Sequence, residues 1–368
     1  MKPKVAVAIS GGIDSLITVV LLKKKYQNIV GLHFITGYEP ASFCTSELTN
    51  VSINKNDPPV SISDLPTAHP ITHIKNQLDI PIKLVDCRQY FQMTIVDYFV
   101  QKYRDGLTPN PCMICNPLIK FGIIFDLARQ TGASYFATGH YARIIKKESH
   151  LYLLQKGTDT RKDQSYFLAL LPKKILPFVR FPLGTMTKQQ VMEMADLKKL
   201  TPVTKKESQD ICFIQDNDYA KFITDQAGNS SSPGLITDLD GHKIGTHNGL
   251  HKFTIGQRRG INCPADEPYY VLKIDIKQNR LIVGSKKDLY KPSLTIKNIN
   301  WFIPKPDSPL DVFVKIRYRH EAAKATLIPR KNNSVMICFK KPQFAITPGQ
   351  GAVCYVNNEV IAGGWIDK

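Results

Sequence analysis

The chain opens on an apolar run, Val5-Ala6-Val7-Ala8-Ile9, that stops abruptly at the glycine-rich Ser10-Gly11-Gly12-Ile13-Asp14-Ser15. A longer apolar series follows from Leu16 to Leu22. A short β-prone run, a turn and a helix-length run predict a strand–loop–helix unit, the helix reaching about Tyr26, with a second strand over 29–34. Between Gly37 and Thr72 the pattern dissolves into Pro, Ser, Asn and Asp. That stretch reads as a surface insertion, with contact to a partner as the alternative. Periodicity returns as a helix around 74–78, a strand over 82–86, a helix over 92–104, a helix from Phe121 to about Gln130, and a strand over 135–138 ending at Gly139-His140. This alternation predicts an α/β fold, a doubly wound parallel sheet. Ligands of such sheets bind beyond the carboxyl ends of the strands, where the turn over 10–15 and Gly139 both fall.

After about residue 215 the character changes. Residues 228–234 have the composition of a linker, and short strands are predicted over 234–238, 269–274 and 281–284. From Leu294 onward, alternating segments such as 312–318 and 352–356 predict a small antiparallel barrel. Three domains result: a nucleotide-type α/β domain over 1–215, a small β-rich domain over 216–286, and a C-terminal β-barrel over 287–368.

Composition adds a partner. The chain is 43% hydrophobic and 22% charged, the balance of a soluble globular protein. No apolar run approaches the ~20 residues that span a bilayer. Met1-Lys2-Pro3-Lys4 leads straight into the first strand without a secretion signal, so the cytoplasm is the expected compartment. The formal net charge is +18, and from His251 onward 20 Lys/Arg face 9 Asp/Glu. Nucleic acid suits such an excess, a merely basic surface being the plain alternative. Arg317, Tyr318 and Arg319 are read as continuing a strand, which puts both arginines on one face.

Candidate chemistry sits in three places. Backbone N–H groups over 10–15, backed by a helix N-terminus, form a cradle for phosphate, and no Gly-Lys-Ser/Thr follows to make it a Walker loop. An ordinary glycine-rich turn is the plain reading. Of eight cysteines, Cys44, Cys87, Cys263, Cys338 and Cys354 read as core or surface thiols. Cys112 and Cys115 lie in Pro109-Asn110-Pro111-Cys112-Met113-Ile114-Cys115, where two prolines predict a rigid extended loop. Cys212 lies in Glu207-Ser208-Gln209-Asp210-Ile211-Cys212, with Lys205 and Lys206 as cations that would favour its thiolate.

Ser-Gly-Gly-x-Asp-Ser resembles the PP-loop of the N-type ATP pyrophosphatases, which cut ATP between the α and β phosphates. With the Pro-Asn-Pro-x-x-x-Cys-Asn segment, Ala137-Thr138-Gly139-His140-Tyr141-Ala142-Arg143, Lys162-Asp163-Gln164-Ser165-Tyr166-Phe167-Leu168, the Cys212 segment, Thr254-Ile255-Gly256-Gln257-Arg258-Arg259-Gly260, Ile316-Arg317-Tyr318-Arg319 and Thr347-Pro348-Gly349-Gln350, it stands in the order of the tRNA-specific 2-thiouridylases. The resemblance spans the chain except roughly 37–72.

The resemblance implies ATP-dependent 2-thiolation of the wobble uridine of tRNA: adenylation at O2, then attack of a persulfide sulfur at C2. Cys212 matches the cysteine that carries the persulfide. Cys115 matches its partner, which releases sulfide or closes a disulfide with Cys212. Ala8, Ile9, Ser10, Gly11, Gly12, Ile13, Asp14, Ser15, Phe34 and Gly139 match ATP-binding positions, with Mg²⁺ held through Asp14. Asn110, Pro111 and Cys112 match the segment beside the target base. His140, Lys162, Asp163, Gln164, Arg317, Tyr318 and Gln350 match tRNA-contacting positions. On the residues alone, His140 is a satisfied strand-end histidine and 162–164 a charged surface turn.

Cys112 stands where some relatives carry Asp, so Cys112, Cys115 and Cys212 can alternatively hold a [4Fe–4S] cluster, with zinc a more distant option. The implied partners are tRNA and a persulfide-donor protein, with no membrane, and the chain is expected to be a monomer. Two other classes compete. A PP-loop amidating ligase of the argininosuccinate or GMP synthetase kind shares the adenylation but needs neither thiol. A non-catalytic tRNA-binding protein needs no ATP.

Overall fold

The computed structural model describes residues 2–39, 60–148, 150–204, 211–214, 218–227 and 232–367. Cys44, the 205–210 segment with Lys205 and Lys206, and most of the 228–234 linker lie outside the described residues. The chain divides into two compact units, Met1–Ile95 with Cys112–Phe213, and Val96–Pro111 with Ile214–Lys368.

In the first unit the strands are β1 (Lys4–Ala8), β2 (Asn28–Ile35), β3 (Ser61–Asp64), β4 (Ile82–Asp86), β5 (Tyr135–Ala137), β6 (Ala142–Lys146), β7 (Tyr152–Lys156) and β8 (Val179–Arg180). Six of them form one sheet in the order β3-β4-β2-β1-β5-β8, while β6 and β7 pair as a hairpin. The doubly wound parallel sheet is as expected. Strand β3 is the addition: it pairs antiparallel to β4, inside the stretch read as patternless, and all four of its residues are exposed, so it offers no apolar period to detect. From β1 the chain builds outward to β2 and β4, then crosses to the other side of β1 to lay down β5. The order therefore reverses between β1 and β5, the place where open α/β sheets bind ligands.

The helices that matter here are α1 (Ile13–Lys23), α2 (Ile71–Leu78), α3 (Pro111–Gln130) and α4 (Lys188–Leu197). Leu16, Val19 and Leu22 of α1 pack with Ile71, Ile74 and Leu78 of α2 on Val5, Val7 and Ile9. The predicted extended loop at Cys112 and Cys115 is corrected: both lie in the first turns of α3. Pro111 occupies the first helical position, where its missing N–H is not needed and its fixed φ suits a helix. Farther in, Pro117 falls within a widened π-helical stretch, Asn116–Ile123, which accommodates its missing donor. By length and composition alone α3 is apolar enough to cross a membrane. Its Met113, Ile119, Phe121, Ile124 and Ala128 are buried in the unit.

His33, on β2, is buried with Nδ1 2.8 Å from the Ile9 carbonyl oxygen and its ring edge-on to His69. Burial holds its pKa down to about 4 from an ordinary 6.5, so the fold favours the neutral imidazole. A depressed histidine gives stability above its unfolded pKa that is lost on acidification. Stability is therefore expected to fall as pH drops from 6.5 through 4, with His33 contributing about 3 kcal/mol of the loss. Melting temperatures of His33→Phe should decline less steeply than those of the wild type across that window; parallel profiles would refute the assignment.

In the second unit, β9 (Gly234–Thr237), β10 (Lys243–His247), β11 (Tyr270–Asp275) and β12 (Arg280–Gly284) form a sheet in the order β10-β9-β12-β11 over Ile236, Phe253, Val271, Leu281 and Val283. Beyond it run β13 (Tyr290–Trp301), β14 (Leu310–Lys315), β15 (Ala323–Pro329), β16 (Ser334–Phe344), β17 (Gly351–Val356) and β18 (Glu359–Ile366). They are antiparallel, and β13 pairs with both β16 and β18, which closes the expected barrel. Its interior is filled by Ile296, Val314, Leu327, Val335 and Ile337. The strand read over 312–318 is corrected: β14 ends at Lys315, and Arg317, Tyr318 and Arg319 lie in the turn after it.

Candidate active site

The loop after β1 is held open by its own backbone. Gly11 sits at φ 86°, a region that glycine enters without steric cost. Its carbonyl accepts the N–H groups of Val203 at 2.9 Å and Thr204 at 3.4 Å, which fixes the turn. Gly12 caps α1 in extended conformation without a side-chain cap, so the N–H groups of Ile13 and Asp14 stand in a first turn that has no internal partner for them. The Ser15 hydroxyl donates to the Gly12 carbonyl at 2.7 Å, and Ser10 is exposed. Ile9 is buried at the strand end, beside Ala8, and Phe34 is half-buried near the end of β2. Gly139, after β5, is packed so closely on the loop that a Cβ there would lie 2.9 Å from the carbonyl carbon and oxygen of Asp14. The structure thus gathers the sequence-predicted loop and Gly139 on β1 and β5, at the reversal of strand order.

Asp14 shows what the sequence left out. Its Oδ1 accepts hydrogen bonds from the Tyr141 hydroxyl at 2.8 Å and the Lys188 ammonium at 2.7 Å. Tyr141 and Lys188 are 127 and 174 residues away in sequence; Tyr141 stands in one of the quoted segments, whereas no pattern marks Lys188.

The thiols converge in the same unit. Cys112 and Cys115, three residues apart on α3, share a face, and Cys212 is exposed. All seven described cysteines, these three among them, are free thiols, so the disulfide expectation finds no bond here. Burial pushes the Cys112 thiol up to about 11, with Cys212 adding to the rise and Lys120 opposing it. Burial raises Cys115 further, Lys120 again opposing it and Cys212 and Cys112 adding to it. At these two positions removal from water outweighs the nearby cation. That cation is Lys120, on α3 itself.

Comparison with known proteins decides the family. Residues 3–216 match the model of a tRNA methyl transferase HUP domain, 220–285 a tRNA methyl transferase PRC-barrel domain, and 291–366 an aminomethyltransferase beta-barrel domain. The protein of Desulfosudis oleivorans named tRNA-specific 2-thiouridylase MnmA is 44% identical over 99% of this chain and 95% of its own length. Proteins of the same name from Geobacter metallireducens and a Synechococcus strain are 38% and 37% identical, each over 100% of this chain and 97% and 94% of their own length. The chain belongs to the tRNA-specific 2-thiouridylase family.

The family's expected tRNA-contacting positions turn out to be tied into the fold. Asp163 is buried, and its carboxylate accepts from the Gly157 and Ser165 N–H groups at 3.0 and 3.1 Å and from the Ser165 hydroxyl at 2.9 Å. Gln164 accepts the Tyr141 N–H at 2.9 Å. Lys162, beside them, is half-buried. Asp163→Ala removes the acceptor of three buried hydrogen bonds and is expected to destabilise the protein by about 3 kcal/mol. Chemical denaturation reads the loss, and wild-type stability in that variant would contradict the assignment.

His140 lies among Phe121 and Phe181, its Nδ1 2.6 Å from the Thr138 hydroxyl; burial and then Lys120 hold its pKa well below normal. In the second unit, Arg317 donates to the carbonyl oxygens of Ile255 and Ala345 at 3.0 Å and to the Thr347 hydroxyl. Tyr318, next to it, has the Lys315 ammonium over its ring. Gln350 donates to the carbonyls of Thr108 and Pro109, both at 3.0 Å. Asn110 is buried just beyond them, and Pro111 begins α3. In this thiouridylase, Arg317 and Gln350 therefore shape backbone that the other motifs occupy, a role no spacing rule reveals.

Proposed function

We propose that this chain is an ATP-dependent sulfurtransferase that converts the wobble uridine of tRNA to 2-thiouridine. The observation that carries the reading is three thiols converging in the unit that bears a phosphate-binding loop. An adenylating loop with paired thiols suits sulfur transfer, whereas an amidating ligase has no use for the thiols. ATP fits the loop: glycines give close approach, first-turn N–H groups of α1 face the phosphates, and the residues over 8–15 with Phe34 and Gly139 surround it. Mg²⁺ would enter with ATP as part of the substrate, and Asp14 is the carboxylate at the loop able to receive it.

In the first step the uridine O2 bonds to the α-phosphorus, and the bond to the bridging oxygen breaks with its electron pair on pyrophosphate. Activation turns O2 into part of a good leaving group, and N3 gives up its proton. The terminal sulfur of a Cys212 persulfide then attacks C2, and AMP leaves with the C2–O pair. The Cys115 thiolate attacks Sγ of Cys212, and the S–S pair stays on the base sulfur as N3 regains its proton. An external thiol reduces the resulting disulfide. Cys212 is exposed to a donor protein, while Cys115 is only partly exposed. Asn110, Pro111 and Cys112 would flank the base, which must be unstacked for chemistry at C2. His140, Lys162, Asp163, Gln164, Arg317, Tyr318 and Gln350 would hold the tRNA or shape the loops that do, assisted by the basic C-terminal third.

Incubation with a tRNA transcript, MgATP and a low-molecular-weight persulfide tests this. Nucleoside mass spectrometry is expected to find 2-thiouridine in step with AMP and pyrophosphate. Pyrophosphate without sulfur incorporation would sink the assignment.

The convergence of Cys112 with Cys115 and Cys212 favours one second reading, in which the three thiols fit a [4Fe–4S] cluster. Such a cluster would supply an open iron on which sulfide is delivered to C2. Anaerobic purification is then expected to yield iron and a broad visible band that Cys112→Ser removes, while iron-free and fully active protein leaves the persulfide route standing.

A further inference from the structure

In the first unit the Asp14 carboxylate, at the start of α1, meets an ammonium carried by the start of a second helix. Asp14 lies in the first turn of α1, and Lys188 is the first residue of α4. Helix α4 is fixed there by a capping box, in which the Thr187 hydroxyl accepts the Gln190 N–H and the Gln190 side chain accepts the Thr187 N–H. The Lys188 N–H donates to the Asp159 carboxylate at 2.9 Å. Ile17 of α1 and Val191 and Ala195 of α4 pack together with Leu183, which sets the ammonium over the start of α1. The Lys188 side chain is only 24% exposed and its Nζ lies 2.7 Å from Asp14 Oδ1.

A cation at the N-terminus of its own helix, aimed at the N-terminus of another, is doubly disfavoured by the helix dipoles. Asp14 answers the start of α1 and Asp159 the start of α4, and the ammonium stands beside the loop that would receive a polyphosphate.

We infer that Lys188 is a positioning and charge-neutralising residue for the nucleotide: it is parked on Asp14 until MgATP arrives, and transfers its ammonium to the pyrophosphate as the cation takes the carboxylate. The inference rests on the adenylation reading above. As the bond from the α-phosphorus to its bridging oxygen breaks, the electron pair passes to pyrophosphate. Lys188 keeps its proton and stabilises the developing charge. Tyr141, on the same Oδ1, keeps the carboxylate oriented through the exchange.

The test uses the full chain as wild type, Lys188→Met and Lys188→Arg. Two quantities are measured: tRNA-dependent pyrophosphate release, and calorimetric binding of α,β-methylene-ATP while Mg²⁺ is titrated. In Lys188→Met the maximal rate of release is expected to fall about 100-fold, with little change in analogue affinity at saturating Mg²⁺. Half-saturation by Mg²⁺ should move to lower concentration, because no ammonium competes for Asp14. Lys188→Arg should recover part of the rate. Release at the wild-type rate in Lys188→Met, or an unmoved Mg²⁺ requirement, overturns the exchange. A failure of the adenylation reading looks different: wild type itself releases no pyrophosphate with tRNA, while the Mg²⁺ titrations still report whether Lys188 and the cation compete.

Discussion

Cys212→Ser is expected to release pyrophosphate from ATP in the presence of tRNA as the wild type does, yet to form no 2-thiouridine. A serine hydroxyl cannot carry a sulfane sulfur, so the loss should reach about 10³-fold or more. Adenylation should survive because the loop over 10–15 takes its geometry from Gly11, Gly12 and Gly139 and not from the thiols. Cys115→Ser separates the two thiols. The persulfide still attacks C2 and AMP still leaves, but the base stays joined to Cys212 through its S–S bond. A tRNA–protein adduct should therefore accumulate, visible on a denaturing gel and released by a small thiol. Release regenerates the thiolated base, so added thiol should restore part of the turnover. Absence of both the adduct and the rescue in Cys115→Ser would exclude Cys115 as the resolving thiol. Loss of bound iron in both variants, again without an adduct, would favour the cluster.

The burial of Cys112 and Cys115 gives this division of labour its physical basis. A thiol held near 11, as Cys112 is, is almost wholly protonated at neutral pH. Cys212, exposed, is the one a donor protein can reach.

How far the sequence discloses this depends on the range of each interaction. The unit from β1 through α1 to β2 is local, and its periods and glycines state it outright. The reversal between β1 and β5 is nearly as plain, because Gly139-His140 repeats the strand-end signature. The helix carrying Cys112 and Cys115 was hidden by prolines that suit an extended loop and a helix start equally well; only the buried face formed by Met113, Ile119 and Ile124 separates the two. Strand β3 escaped because it is exposed throughout. Arg317 was placed on a strand for its alternation with Arg319, whereas its guanidinium folds back onto Ile255, Ala345 and Thr347. Lys188 and Asp14 meet across 174 residues, beyond any periodic signal.

Gly139→Ala is expected to be the most damaging single methyl group in the nucleotide site. The backbone at 139 is not in the left-handed region, so alanine meets no torsional obstacle there. Its methyl group instead meets the carbonyl carbon and oxygen of Asp14 at 2.9 Å and the Asp14 Cβ at 3.2 Å. Those atoms have little room to yield. Strand β5 is held between β1 and β8, and α1 is packed through Ile17 on Leu183 and Val191. Relief must come by displacing the first turn of α1, the turn proposed to present N–H groups to the phosphates and the one that carries the Asp14–Lys188 pair. Overpacking of this kind costs about 1–3 kcal/mol of stability. Displacement of a reacting group by about 1 Å can slow a reaction about 100-fold. Binding of α,β-methylene-ATP should weaken about tenfold, and tRNA-dependent pyrophosphate release should fall about 100-fold. Gly12→Ala provides the contrast: its Cβ finds no atom closer than 3.7 Å, so stability should hold. Under the proposed phosphate-binding role of this loop the added methyl group narrows the cradle, so nucleotide binding should weaken there as well. The two variants thus separate a crowded backbone from a blocked cradle. Wild-type analogue affinity in Gly139→Ala would mean that the nucleotide does not depend on where β5 holds Asp14.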